Sequence, residues 1–189
     1  MKRLRRRHAL MGLGAALAGC TTEQKAVTQS KAAGVSQQKL RRVLIAISVS
    51  RDKMTEGQNR SLLQVEELKR AFEAKWPPIG ISVEIVNVDG TADNGGQLIT
   101  AANTSFRASQ LLYLRTGGVK FRGDFVREYD IEATLYDAAA RKQIWRASTE
   151  LPDFWKSSTK DFFMESKRPA AADRYVDSLT AKLREDGLL

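Results

Sequence analysis

The chain contains one histidine, His8, and one cysteine, Cys20, among its 189 residues. Ser-His-Asp triads, Cys-His pairs and histidine-ligated metal sites all need an imidazole in the mature protein. His8 lies in a segment that we interpret below as a cleaved export signal, so the mature chain would have none. A single cysteine also excludes an intrachain disulfide. We therefore expect a protein that is not an enzyme and that has no metal and no cofactor.

Motifs for phosphate binding and for serine acylation are also lacking. No G-x-G-x-x-G or Walker pattern follows the signal, so the glycine pairs at 95–96 and 117–118 predict turns. Ser157-Ser158-Thr159-Lys160 fits S-x-x-K, but the Ser-Asp-Asn and Lys-Thr-Gly motifs that such enzymes also need are absent. We interpret this stretch as a polar loop or the start of a helix.

The positive charge of the chain is concentrated at its N-terminus. Lysine and arginine number 31 against 22 acidic residues, and five of the basic residues fall within residues 2–7. Residues 9–18 are apolar or small, too few for the ~20 residues that cross a bilayer. This pattern predicts a secretory signal, and the remaining charge is too small to indicate nucleic-acid binding.

The signal ends in Leu17-Ala18-Gly19-Cys20, which resembles the lipobox of bacterial lipoproteins at all four positions. The resemblance implies cleavage between Gly19 and Cys20, a diacylglycerol on the Cys20 thiol and an acyl chain on the new amino group. These groups would attach the protein to a membrane. Thr21 stands where inner-membrane lipoproteins tend to have aspartate, which favours the outer membrane, facing the periplasm. The alternative is an ordinary signal peptide with a chance cysteine.

The sequence predicts three regions. Residues 1–19 are the signal peptide, and residues 20–39 are a flexible tether, since they have almost no large apolar side chain to offset the entropy of ordering. Residues 40–189 form one domain, in which apolar residues repeat with the period of strands or of helices. Strands are predicted at 42–49, 81–88, 109–116, 125–136 and 142–149, and helices at 59–75, 97–107 and 169–186.

The predicted order β-α-β-α-β-β-β-α indicates an α/β fold. Right-handed crossovers give a three-layer sandwich around a mixed five-stranded sheet, in order 2-1-3-4-5 with strand 4 antiparallel. Asn59 or Ser61 is expected to cap the first helix, and Pro169 to lie in the first turn of the last. Trp145 is expected to face the core, with Ile144 on the opposite side of its strand.

The hairpin from Leu135-Tyr136-Asp137 to Ile144-Trp145-Arg146, followed by a helix ending in Asp186-Gly187-Leu188, resembles small bacterial envelope lipoproteins. These include the activator lipoproteins of penicillin-binding proteins. The resemblance covers residues 40–189 and implies a fold like an anticodon-binding domain. No functional residue is implied by it.

An acidic row, Glu128, Asp130 and Glu132, alternates with apolar residues along the fourth predicted strand. Alternate residues on one face lie ~7 Å apart, a spacing that overlaps the carboxyl separation of inverting glycosidases. Lys142 and Arg146 are expected on the same face, where cross-strand ion pairs would explain the row without catalysis. A solvated face, a partner-binding stripe and a catalytic or metal site remain open.

A second candidate is the aromatic segment from Leu151 to Met164, which includes Phe154, Trp155, Phe162 and Phe163. These side chains could cover the edge of the sheet, or they could form a docking surface, where Trp, Phe and Met are favoured.

Together these features predict a non-catalytic binding or adaptor module for another envelope protein. The alternatives are a carboxylate-dependent hydrolase acting on envelope glycans and a structural subunit of an envelope assembly.

Overall fold

The computed structural model describes residues 28–31, 39–49, 54–56, 58, 62–88, 95–123, 125–151 and 162–189. Within these ranges the chain forms strands and helices in the predicted order, preceded by one further strand. A 3₁₀ turn, Pro77–Ile79, follows the first helix. The elements are β1 (Thr28–Lys31), β2 (Arg42–Ser48), α1 (Val65–Lys75), β3 (Ser82–Asn87), α2 (Gly95–Thr104), β4 (Gln110–Arg122), β5 (Phe125–Asp137), β6 (Lys142–Leu151) and α3 (Phe162–Glu185).

The strands form one mixed sheet in the order β1-β6-β5-β4-β2-β3. β2 is parallel to β3 and β4, while β5 is antiparallel to both of its neighbours. Parallel neighbours need a long crossover, and α1 and α2 provide the two crossovers. The predicted order 2-1-3-4-5, with the fourth strand antiparallel, is therefore confirmed for β2 to β6.

β1 was not predicted, because it lies inside the segment interpreted as a flexible tether. It pairs antiparallel with β6, from Thr28 opposite Ser148 to Lys31 opposite Trp145. A strand added at a sheet edge is held by backbone hydrogen bonds, which do not depend on apolar side chains. The polar composition of the segment thus gave no indication of this strand, and the tether interpretation is wrong for residues 28–31.

The sheet has hydrophobic clusters on both faces. β2 shows this directly: Val43, Ile45 and Ile47 join the large cluster beneath α1 and α3, and Leu44 and Ala46 join the smaller one beneath α2. The continuous apolar run of β2 therefore follows from burial on both faces. Helices on both sides of the sheet give the predicted three-layer sandwich.

α1 and α3 lie side by side and are joined by polar contacts along their rim. Arg70 pairs with Asp173 at 3.1 Å, and Lys75 pairs with Asp177 at 2.7 Å. The indole N–H of Trp76, itself fully buried, donates to the hydroxyl of Thr180 at 2.9 Å. The exposed ion pairs contribute little each, so the buried apolar faces dominate this packing.

The helix starts differ from those predicted. Gln64 precedes α1 and forms a capping box with Glu67, whose carboxylate accepts the Gln64 N–H at 2.8 Å. Asn59 and Ser61, the predicted caps, lie outside the described residues. α3 begins at Phe162, so Pro169 lies inside the helix rather than in its first turn.

The end of α3 agrees with the sequence. Gly187 has a φ of 76°, and the Leu188 N–H donates to the carbonyl of Leu183 at 2.9 Å. This left-handed glycine turns the chain back, so that Leu188 is buried in the core and its carbonyl accepts the N–H of Leu40. Leu188 thus packs back against the core after the turn at Gly187.

Candidate functional site

The acidic row lies where two glycines alter the pairing of β4 with β5. The register shifts between Thr116 and Val119, so Gly117 and Gly118 form an irregularity within β4 rather than the predicted turn. A Cβ placed on Gly117 would come within 3.3 Å of the Asp130 Cβ and 3.4 Å of the Glu132 Cγ. Glycine therefore allows β4 to approach the two carboxylate side chains closely.

β5 alternates as predicted, with Tyr129, Ile131 and Ala133 buried in the large cluster. Its other side belongs to the sheet face that α2 partly covers, where Tyr136 is partly buried against the smaller cluster. Beyond that cluster the face carries charged side chains of both signs. We call this region the open face and define it by Arg115, Lys120, Glu128, Asp130, Glu132, Arg146 and Glu150.

Cations from both neighbouring strands pair with the acidic row. Arg115 donates to Glu132 at 2.8 Å, and Arg146 pairs with the other carboxylate oxygen of Glu132 at 3.1 Å. Lys120 donates to Glu128 at 2.7 Å. The predicted pairing across the β5–β6 hairpin is thus confirmed for Arg146.

Lys142, the other predicted partner, lies opposite Asp137 at the far end of the hairpin, so this prediction is wrong. Arg115 and Lys120 were not predicted as partners of the acidic row. Both belong to β4, the neighbour of β5 on its other side, and a β4–β5 register would have placed them opposite Glu132 and Glu128.

The environments of Asp130 and Glu132 shift their pKa values in opposite directions. Burial tends to raise the pKa of Glu132, but the hydrogen bond from Arg115 and the charges of Arg115 and Arg146 outweigh it, so the net pKa is lowered. The pKa of Asp130 is raised, first by burial and then by repulsion from Glu150, which lies directly opposite on β6. Glu132 is therefore held ionised, whereas Asp130 is held in a position that disfavours its charge.

We expect Asp130→Asn and Glu132→Gln to change stability in opposite directions at pH 7. Ionised Asp130 is disfavoured in the fold, so Asp130→Asn should stabilise the domain by up to ~0.5 kcal/mol. Glu132→Gln should destabilise it by ~0.5–1 kcal/mol, since two arginines lose their carboxylate partner. Urea unfolding of both variants and the wild type measures the difference.

The pH dependence gives the control. Glu132, with its lowered pKa, contributes stability that is present above its unfolded pKa and lost as the pH falls through its folded pKa. Asp130 has a raised pKa, so its unfavourable effect also disappears when acid protonates it. The difference in stability between each variant and the wild type should therefore shrink in acid. If both variants changed the stability in the same direction at pH 7, this explanation of the two pKa shifts would be contradicted.

The other predicted site residues are not placed in the structure. Gly19, Cys20, Phe154 and Trp155 lie outside the described residues, and Phe162 and Phe163 lie in the first turn of α3 without described side chains. The proposed lipidation and the aromatic docking surface thus stay predictions.

One depression of about 590 Å³ lies beside α2. Its walls are small and neutral except for Arg141, whose guanidinium donates to the Gly96 carbonyl at 3.4 Å. None of the described residues that line it is a carboxylate. In the described part of the chain no cluster of His, Cys, Asp and Glu could hold a metal ion. None of the described helices has both the length and the apolar character needed to cross a bilayer.

No protein-family model and no curated protein sequence matches the chain. Similar solved structures include a PelC dodecamer from Paraburkholderia phytofirmans, with 13% identity, 82% of this chain and 96% of that chain covered, and a TM-score of 0.41. Lipoprotein GNA1162 from Neisseria meningitidis has 13% identity, coverages of 72% and 99%, and a TM-score of 0.43. Protein XCC0632 from Xanthomonas campestris has 9% identity, coverages of 85% and 94%, and a TM-score of 0.40. These similarities do not assign the chain to a family.

Proposed function

We propose that this protein is a lipid-anchored envelope lipoprotein whose domain binds another envelope protein through the open face, without catalysis and without a cofactor. The match of Leu17-Ala18-Gly19-Cys20 to a lipobox supports the anchor. Diacylglycerol and an N-acyl chain on Cys20 would hold the protein on the outer membrane, facing the periplasm. Two or more acyl chains anchor a protein stably, whereas one gives only weak, reversible attachment.

The open face is the observation that best supports a binding role. Its charged side chains stand on three adjacent strands, and several are well exposed: 72% for Lys120, 55% for Arg115 and 48% for Arg146. The strand pairing of the sheet sets the relative positions of these charges. Fixed charges of both signs favour a partner with the complementary pattern and disfavour others.

The same geometry argues against the hydrolase alternative. A general acid must carry a proton near the working pH, but Arg115 and Arg146 favour the ionised form of Glu132. Asp130 has the raised pKa that an acid would need, yet it lies on the surface of a sheet, whereas substrate sites are normally concave. A binding face is therefore the better explanation of this row.

Quantitative capture tests the proposal. Tagged protein is cross-linked in cells, purified and analysed for covalently attached envelope proteins. We expect the wild type to capture a discrete partner and Glu132→Ala to capture about fivefold less or lower, because a carboxylate central to an interface contributes ~1 kcal/mol or more. Glu73→Ala, an exposed position on α1, is the matched control and should capture as the wild type does.

Folding of each variant is checked by circular dichroism before capture is compared. Equal capture by Glu132→Ala and Glu73→Ala would contradict a role for the open face. Capture of further copies of this chain alone would favour the structural-subunit alternative instead.

A further inference from the structure

Among the described strands, the β4–β5 hairpin extends beyond the rest of the sheet. β6 ends at Leu151, opposite Tyr129, but β4 and β5 continue pairing as far as Arg122 and Phe125. Gly123, with a φ of 60°, lies in the turn. We call Lys120–Gly123 the hairpin tip; all of its residues are exposed.

The hairpin tip presents an apolar ring between two cations. Phe121 is 47% exposed, and Lys120 and Arg122 flank it in sequence. Among the described residues only one other large hydrophobic side chain is exposed to this degree, Ile79 at 45%. An exposed aromatic ring beside cations is suited to the boundary between lipid headgroups and acyl chains, where apolar burial and attraction to anionic lipid act together.

β1 shows from which direction the N-terminal segment arrives. β1 is antiparallel to β6, which is antiparallel to β5, so β1 and β5 run in the same direction. β5 starts at the hairpin tip, and the chain therefore also enters β1 from that end of the sheet. Thr28, where β1 begins, lies opposite Ser148, which in turn lies opposite Glu132.

The chain between Cys20 and β1 is long enough to reach the level of the hairpin tip. Measured along the strands, β5 covers ~23 Å from Phe125 to Glu132, so the hairpin tip projects about this far beyond the level of Thr28. The chain from Cys20 to Thr28 can span at most ~28 Å when fully extended. An anchor at Cys20 can thus lie level with the hairpin tip.

We propose that the hairpin tip contacts the anionic lipid headgroups of the membrane that anchors Cys20. Phe121 enters the headgroup boundary and Arg122 pairs with lipid phosphates, while Lys120 keeps its ion pair with Glu128 on the open face. This contact rests on the lipid anchor of the proposed function and adds an orientation to it. The strands stand roughly upright on the membrane, so the open face points sideways and stays accessible to a partner.

Fluorescent labelling of acylated protein in vesicles tests the contact. Cys20 is the only cysteine and its thiol would be acylated, so Phe121→Cys introduces one reactive site for a polarity-sensitive label. Ile79→Cys is the matched control: it is about equally exposed, but it precedes β3 near the opposite end of the sheet, where Ser82 pairs with Arg42. Vesicles contain phosphatidylglycerol with brominated phosphatidylcholine, or brominated phosphatidylcholine alone.

We expect bromine to quench the label at 121 at least fivefold more than the label at 79 in anionic vesicles. In vesicles without phosphatidylglycerol, and in the Phe121→Cys chain carrying Arg122→Glu, the quenching at 121 should fall about fivefold or more, because each cation near an anionic surface favours binding. The mass of each chain confirms acylation.

Equal quenching at the two positions in acylated protein would overturn the membrane contact while leaving the lipid anchor intact. Protection of the label at 121 only after an envelope extract is added would also overturn it, in favour of a protein at the hairpin tip. A chain without acyl groups would contradict both the anchor and this contact.

Discussion

Replacing Trp145 with alanine is expected to destabilise the domain by ~3–5 kcal/mol, the usual cost of removing a fully buried indole. Trp145 is completely buried on β6, within the large hydrophobic cluster. Its indole N–H donates to the carboxylate of Asp186 at 2.8 Å, which connects the sheet to the end of α3. Because small domains are stable by only ~5–15 kcal/mol, this loss is a large fraction of the total.

Urea unfolding monitored by circular dichroism measures the change. Ile79→Ala is the control, since this side chain is 45% exposed and its removal should cost under ~0.5 kcal/mol. Trp145→Phe separates the two contributions: it keeps an aromatic ring in the core but removes the N–H that Asp186 accepts. A loss below ~1 kcal/mol for Trp145→Ala would show that the cluster does not depend on this ring.

The second large effect is expected at Cys20. We expect Cys20→Ala to abolish acylation, so that the protein accumulates as a precursor that retains residues 1–19. The reason is that the thiol would be the acceptor of diacylglycerol, and each buried CH₂ contributes ~0.8 kcal/mol to membrane binding. Gel mobility, intact mass and detergent extraction of the envelope fraction measure the outcome.

Thr21→Ala is the matched control, because it changes the neighbouring residue and leaves Leu17-Ala18-Gly19-Cys20 intact. It should be processed and fractionate as the wild type does. If Cys20→Ala were also cleaved and extracted like the wild type, the signal would be an ordinary one and the lipid anchor would be wrong.

The sequence predicted those parts of the fold that depend on local periodicity. The apolar run of β2 and the alternation of β5 correctly indicated which side chains are buried. The reason is that successive residues of a strand point to opposite faces of the sheet. The strand order followed from the handedness of the two helical crossovers. Both kinds of information are present in residues that are close together in the chain.

Irregular pairing was not predictable in the same way. Ile144 was expected opposite Trp145 but is buried in the same cluster, because the β5–β6 register shifts between Leu135 and Tyr136 and leaves Ile144 as an extra residue. β1 and the extension of β4 past Gly117 likewise depend on a partner strand rather than on their own composition. A period of two cannot indicate where such a shift occurs.

For the candidate site, the sequence identified the acidic row but only one of its cationic partners. Arg146 followed from the hairpin between β5 and β6. Arg115 and Lys120 required the register of β4, which was predicted to end at 116. The opposite pKa shifts of Asp130 and Glu132 depend on these neighbours, so they could not be predicted from the row alone.

The most direct test of the binding role is photo-cross-linking from the open face in living cells. A photoreactive amino acid replaces Ser148, which lies beside Glu132 on β6, or Glu73 on the exposed side of α1 as the control. We expect a discrete adduct with one envelope protein from position 148 and none from position 73, and Glu132→Ala should weaken that adduct. Folded protein that gives no adduct at 148 above the level at 73 would contradict the proposal that this face binds a partner.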